Sequence, residues 1–282
     1  MTESSIEGNK SPIVMAPCRH GRMVWPCSDK IIGRSLALYG EFAEGENRLM
    51  ARFVKRGDTV VDIGANLGTT VLALARATGN SGAVLAFEPQ PKVAQLLQTS
   101  LTLNGILHVR THAAALADKT GWSRIAAPDL FSEENFGAMT LAKEGVQDPV
   151  FRLDEIELNS CALIKLDVEG LESRVLSGAR GHIQNLRPVL YFEAKRIPGT
   201  EECLQWLLDN GWHCYWHFAF FFSQENFRNN QTNVFGASGD MNVLAVPDEK
   251  PQPEDLPRIF SPGEDWRNVY ADFFRKRGVT PA

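Results

Sequence analysis

The stretch that most limits how this chain can fold runs from Gly57 to Ala77. Thr59-Val60-Val61-Asp62-Ile63 is a short, apolar, β-branched run, the pattern of a strand buried on both faces. Leu67 to Ala77 then continues as an apolar helix of roughly three turns. A strand therefore feeds a helix through the small-residue turn Gly64-Ala65-Asn66-Leu67-Gly68, the opening unit of a doubly wound α/β sheet. The glycines at 64 and 68 let the backbone come close to a ligand, and the helix N-terminus offers N–H groups to it. The spacing departs from the G-x-G-x-x-G dinucleotide fingerprint, and the Gly-Lys-Ser/Thr of a P-loop is absent. Asp62 would repel a pyrophosphate, so a ligand carrying positive charge and hydroxyls fits this turn better.

A second strand, Ala83 to Phe87, ends in Glu88, which lies 20 residues beyond Gly68. An acid at that position is the usual partner of ribose hydroxyls in doubly wound folds. Asp62 and Glu88 together point to a nucleoside with a cationic tail, and S-adenosylmethionine matches both features. Val93 to Leu103 has a helical period, and Asn104-Gly105 reads as its left-handed cap. Val109 to Leu116 reads as a third strand, in which Ala113, Ala114 and Ala115 offer a flat surface for an adenine ring. Ala162 to Leu166 is a buried strand delivering Asp167, and Pro188 to Phe192 delivers Glu193. Val168-Glu169-Gly170 opens a helix running to about Ala179. Ligands of open α/β sheets bind beyond the carboxyl ends of the strands, so these acids converge by topology. Trp212 to Phe222 and Met241 to Val246 are the last strands. Asn226, Asn229, Asn230 and Asn233 between them form a polar loop suited to a substrate lid.

Asp62-Ile-Gly-Ala-Asn-Leu-Gly68, Phe87-Glu-Pro-Gln-Pro91, Lys165-Leu-Asp-Val-Glu-Gly170 and Tyr191-Phe-Glu193, in this order, resemble the FkbM-type methyltransferases, a class I S-adenosylmethionine-dependent family. The resemblance covers about residues 39 to 246. It implies a doubly wound, mostly parallel, seven-stranded sheet with an antiparallel last strand. It also implies a Tyr39-Gly40-Glu41 segment covering the cofactor, and a loop at Asn135-Phe136-Gly137-Ala138 near it. The residues and the resemblance together assign the cofactor to Glu46, Asp62, Gly64, Ala65, Asn66, Gly68, Glu88, Pro89, Ala115 and Asp167. Asp167, Glu193 and His217 are the expected catalytic groups, with Glu169 and His213 as further candidates; Tyr215-Trp216-His217 resembles a segment of bacterial members. Asp167 and Glu193 also suit a hard cation such as Mg²⁺. Ala194-Lys195 stand where the family pattern has Asn-Asp, and the lysine would compete for those carboxylates, so metal dependence is not favoured. The family implies O-methylation of a hydroxyl on a sugar or secondary metabolite. N-methylation of a small amine, or a cofactor-binding module without turnover, are the alternatives.

The rest of the chain narrows the partners. Net charge is −5 and Lys and Arg are scattered, so no basic stripe recommends nucleic acid. Five cysteines without a C-x-x-C pair fit a reducing compartment. Residues 1–12 are polar and acidic, and no apolar run approaches the roughly 18 residues of a membrane span, so a cytoplasmic protein without a membrane anchor is expected. Residues 1–30 read as an extended or partly ordered arm with Trp25 available to pack on the main domain, 31–247 as the methyltransferase domain, and 248–282 as a peripheral, Pro-rich extension with a short helix near Trp266. A homo-oligomer is compatible with all of this.

Overall fold

The computed structural model describes residues 12–125, 146–194 and 199–270. The chain opens with an antiparallel hairpin, β1 (Ile13–Cys18) and β2 (Gly21–Pro26), followed by helices α1 (Ile32–Tyr39) and α2 (Glu44–Ala51). The core begins with β3 (Thr59–Ile63), α3 (Thr69–Thr78), β4 (Ala83–Phe87), α4 (Pro91–Leu103) and β5 (Val109–His112). A small sheet interrupts it: β6 (Ala115–Leu116), β7 (Gly121–Ile125) and β8 (Val146–Phe151). The core resumes with β9 (Leu163–Leu166), α5 (Glu172–Gly178), α6 (Arg180–Leu186), β10 (Val189–Glu193) and α7 (Thr200–Asp209). It ends with β11 (Trp212–Phe220), β12 (Gly239–Pro247) and β13 (Arg258–Ile259).

The main sheet has the order β13-β11-β12-β10-β9-β3-β4-β5. Strands β3, β4, β5, β9 and β10 run parallel, while β12 is antiparallel to both β10 and β11. This is the class I methyltransferase arrangement, and it carries eight strands rather than the expected seven. The extra strand is β13, two residues paired with Cys214 and Tyr215, too short to show a period in the sequence. Because successive strand residues point to opposite faces, Val61 and Ile63 join the core under α5 to α7, while Val60 joins the one under α1 to α4. Both faces are buried, which is why these strands read as continuous apolar runs. The chain passes from β3 outward to β5 and returns to β9 on the other side of β3. That reversal opens a crevice at the carboxyl ends of β3 and β9.

Four expectations are corrected here. Residues 13–26 are a hairpin rather than an extended or partly ordered arm, while Trp25 on β2, 1% exposed, packs on the main domain as expected. Val109 to Leu116 is not one strand: β5 ends at His112, and Ala115–Leu116 pairs with β8 in the small sheet. Alanines supply little cross-strand packing, so nothing holds this segment on the main sheet. The sequence from Asp118 to Pro149 reads as a turn leading into a more irregular region, but β7 pairs with β8 there, from Gly121 opposite Val150 to Ile125 opposite Val146. The C-terminal extension is not peripheral: Ile259 is fully buried, Trp266 and Tyr270 pack on the core, and the Phe218 N–H donates to Tyr270 Oη at 2.7 Å. Asn135 to Ala138 and Lys195 lie outside the described residues. Among the described residues no helix is long and apolar enough to cross a membrane.

Candidate functional site

The turn after β3 is shaped by packing. Gly64 has φ 83°, and a Cβ there would lie 1.9 Å from the Asp167 carbonyl oxygen. A side chain would therefore drive apart the ends of β3 and β9. Gly68 has φ 88°, and its Cβ would sit 2.2 Å from Leu97 Cδ1 on α4. It is a close-packing position and does not line the crevice. The Gly64 and Ala65 N–H groups both donate to the Phe87 carbonyl at 2.9 Å, tying the turn to β4.

Glu88 holds the turn from the other side. Its Oε2 accepts from the Asn66 N–H at 2.9 Å, and its Oε1 from the Gln90 N–H at 2.9 Å. A carboxylate offers about four lone-pair directions, so two remain for a ligand. Burial, opposed by these two N–H bonds, pushes the Glu88 carboxyl up to about 7.

Beneath and beside the turn lies a buried ion network. Asp62 is fully buried, with Oδ1 3.4 Å from Lys165 Nζ. Burial raises Asp62 to about 6 and the Lys165 charge opposes the shift. Asp62 does not line the crevice, a correction to its expected ligand contact: it is the penultimate residue of β3 and points below the turn. Lys165 Nζ also lies 3.4 Å from Asp167 Oδ2 and 3.3 Å from the Gly64 carbonyl oxygen. Glu46 on α2 is buried and accepts from Asn242 Nδ2 at 3.1 Å. Burial pushes it up to about 8, with Lys165 pulling the other way.

These elements enclose a cavity of about 270 Å³. Of the residues expected to meet a cofactor, Glu46, Gly64, Ala65, Asn66, Glu88 and Asp167 line it. Pro89 does not, and Ala115 lines a separate cavity beside the small sheet with Trp122 and Arg174. Ala115 lies there because it left the main sheet with β6. Tyr39, Gly40 and Glu41 do not cover the site either. Instead they anchor the Asn-rich loop: Tyr39 Oη donates to the Thr232 carbonyl, Glu41 Oε2 accepts from the Phe227 N–H, and Arg228 N donates to the Tyr39 carbonyl. That loop is packed on α1, with Asn226 2% exposed, and is no lid in this structure. The cavity wall is made by the next residues, Phe42 and Ala43, facing Phe221.

At the other end of the cavity, single carboxylate oxygens of Asp167, Glu169 and Glu193 lie within 4.8 Å of one another. Burial, then the charges of Asp167 and Asp240, push Glu193 up to about 9. Oxygens alone suit a hard cation, but the Lys165 ammonium already stands beside Asp167, and the same carboxylates suit an organic cation. His217 is placed elsewhere. Its Nδ1 lies 2.7 Å from Tyr191 Oη, its register partner is Asn242 on β12, and it does not line the cavity. Burial lowers it to about 4, so it is neutral near pH 7. Strand β11 lies beyond β12 from Glu193, and only its carboxyl end, near Phe221, reaches the site. His213, at its amino end, is at the opposite edge of the sheet.

Lys165, Asp240 and Phe42 also line the cavity and were not expected, whereas Phe221 belongs to the apolar run Phe218 to Phe222, which the sequence offers as a buried strand or a substrate wall. Lys165 carried a signal: it is the one charge inside the buried run Cys161 to Leu166, and a buried charge must be paired. Asp240 carried one only through topology, since an antiparallel strand brings its amino end to the edge where its neighbours bring carboxyl ends.

Residues 62–221 match the family model of the methyltransferase FkbM domain. Solved structures similar to the chain include methyltransferase FkbM from Methylobacillus flagellatus KT, at 19% identity and TM-score 0.46, covering 68% of this chain and 44% of that one. This chain thus spans less than half the length of that protein. An SAM-dependent O-methyltransferase from Thermotoga maritima is similar at 16% identity and TM-score 0.43, covering 85% of this chain and 79% of that one. An rRNA methylase from Streptococcus thermophilus is similar at 11% identity and TM-score 0.45, covering 72% of this chain and 94% of that one. None of the curated proteins matches.

Proposed function

Because the chain belongs to the FkbM methyltransferase family and is an S-adenosylmethionine-dependent methyltransferase, we propose that its acceptor is a hydroxyl of a sugar or secondary metabolite, activated by Glu193. The cavity's chemistry fits the cofactor. Six of its lining residues, Glu46, Glu88, Asp167, Glu169, Glu193 and Asp240, are acids, and one, Lys165, is a cation. A sulfonium nucleoside is favoured in such a field, whereas a nucleotide's phosphates would be repelled. The unused lone pairs of Glu88 suit ribose hydroxyls. When bound, the cofactor supplies an electrophilic methyl group.

The observation that carries the reading is Glu193, at the tip of β10 in the lining of the cavity, with its proton affinity raised to about 9. An alcohol is a weak nucleophile unless a positioned base takes its proton. A carboxylate of raised proton affinity is a better base than an ordinary one, provided it is ionised. Phe42 and Phe221 line the same cavity, their ring centroids 5.0 Å apart, and offer an apolar wall to the acceptor. His217, paired with Tyr191, has no place in this arrangement. The density of carboxylates also favours an amine acceptor, which makes N-methylation the second reading.

Cell extract incubated with isotopically labelled cofactor, followed by mass spectrometry of the labelled product, tests both. A methyl ether supports the proposal, and a methylamine transfers the assignment to the second reading. kcat/KM reports the free enzyme, so it should rise with pH toward about 9, the value for Glu193. Glu193→Gln should abolish that limb and lower kcat by roughly 10²- to 10⁴-fold. Turnover should withstand EDTA. Loss on chelation, restored by Mg²⁺, would assign Asp167, Glu169 and Glu193 to a metal instead.

A further inference from the structure

Lys165 is the single cation among the described residues lining the cavity. It is 5% exposed, in the middle of the sheet, surrounded by acids. Its contacts are slack: 3.4 Å to Asp62 Oδ1, 3.4 Å to Asp167 Oδ2 and 3.3 Å to the Gly64 carbonyl. Ammonium–carboxylate hydrogen bonds at rest measure roughly 2.7 to 2.9 Å. Asp62, on β3, and Gly64, in the turn, hold the ammonium from the protein side. Asp167, whose side chain is 46% exposed, meets it from the cavity side. The Lys165–Asp167 contact is therefore the part of the network that a ligand can replace.

The cofactor carries one anionic group, its α-carboxylate, on the same carbon as its ammonium. Among the described residues lining the cavity, Lys165 is the cation that can meet that group, and the rest of the charged lining is acidic. We propose that Lys165 is the receptor for the cofactor's carboxylate, and that Asp167, released from the ion pair, takes the adjacent ammonium. One intramolecular pair is exchanged for two charge-assisted contacts to the ligand, so the zwitterion is recognised by a protein pair of complementary sign. The inference rests on the cofactor occupying this cavity. A rival role for Lys165, only neutralising Asp62, predicts no sensitivity to the ligand's carboxylate.

Calorimetric titration of the full chain with S-adenosylhomocysteine and with its decarboxylated analogue, which keeps the nucleoside, thioether and amine, separates the two. The wild-type protein should bind S-adenosylhomocysteine roughly 10- to 100-fold more tightly than the analogue. Lys165→Met should erase that preference, bringing S-adenosylhomocysteine to the analogue's affinity while the analogue itself changes by less than about twofold. If the single variant fails to fold, Lys165→Met with Asp62→Asn removes both buried charges together, which folded proteins often tolerate. Equal binding of the two ligands by the wild type, or a preference that survives the substitution, overturns the proposal. Absence of binding by either ligand to the wild type would instead refute the cofactor's placement in this cavity, and the role of Lys165 with it.

Discussion

Glu88 illustrates how a single residue here serves both the fold and the ligand. An acid at the tip of the second strand was legible as a ribose partner, but its bonds to the Asn66 and Gln90 N–H groups were not. Glu88→Ala should therefore do two things. Losing a charge-assisted bond to the ligand should weaken S-adenosylhomocysteine binding by about 1 to 3 kcal/mol, and two orphaned N–H donors should lower stability by a similar amount. Calorimetry and denaturant unfolding measure the two losses separately. A variant of wild-type stability would mean that the turn does not depend on Glu88. Gly64 is a sharper case, because a methyl group there combines positive φ with a 1.9 Å approach to the Asp167 carbonyl. Gly64→Ala should cost at least about 2 kcal/mol, read as a fall in denaturation midpoint. The sequence exposed this glycine as special but suggested a ligand as the reason, since one residue's spacing does not reveal which backbone passes beside it.

At the scale of elements, strands buried on both faces were readable because their signal is local. β3 and β4 fall on the expected residues, and β9 and β10 within one of them. Elements held by partners far along the chain were not readable. The β1–β2 hairpin lacks a strong period, yet it places Trp25 against α1 and α4, where the Val24 N–H donates to Ser100 Oγ at 3.0 Å. β13 is stabilised by its pairing with β11 and by the burial of Ile259, neither of which two residues can announce. Both segments are integral to the core, so Trp25→Ala should cost about 3 to 5 kcal/mol and Ile259→Ala about 2 to 5 kcal/mol, measured by chemical denaturation. Losses below about 0.5 kcal/mol, the range of surface substitutions, would return these segments to the periphery.

Across the whole molecule, the sheet gathers more negative charge at one edge than the −5 net charge discloses. Carboxylates brought together from α2, β4, β9, β10 and β12 are far apart in sequence, and topology alone makes them neighbours. Burial raises Asp62 to about 6, Glu88 to about 7, Glu46 to about 8 and Glu193 to about 9. Unfolded, such groups titrate near ~4. Each raised acid binds its proton more tightly in the folded state, so its contribution to stability is complete below about pH 4 and is lost as pH rises toward 9. A cationic ligand should reverse that trend, because it favours the ionised carboxylates that folding disfavours. S-adenosylmethionine and S-adenosylhomocysteine differ by one methyl group and one positive charge, so the ratio of their affinities isolates the electrostatic part. That ratio should shift toward S-adenosylmethionine as pH rises from 6 to 9, following the ionisation of Glu88, Glu46 and Glu193. Calorimetric titrations of both ligands across this range measure it. A ratio independent of pH would show that the carboxylates around the cavity do not sense the sulfonium, and that the acid-rich edge serves the acceptor alone.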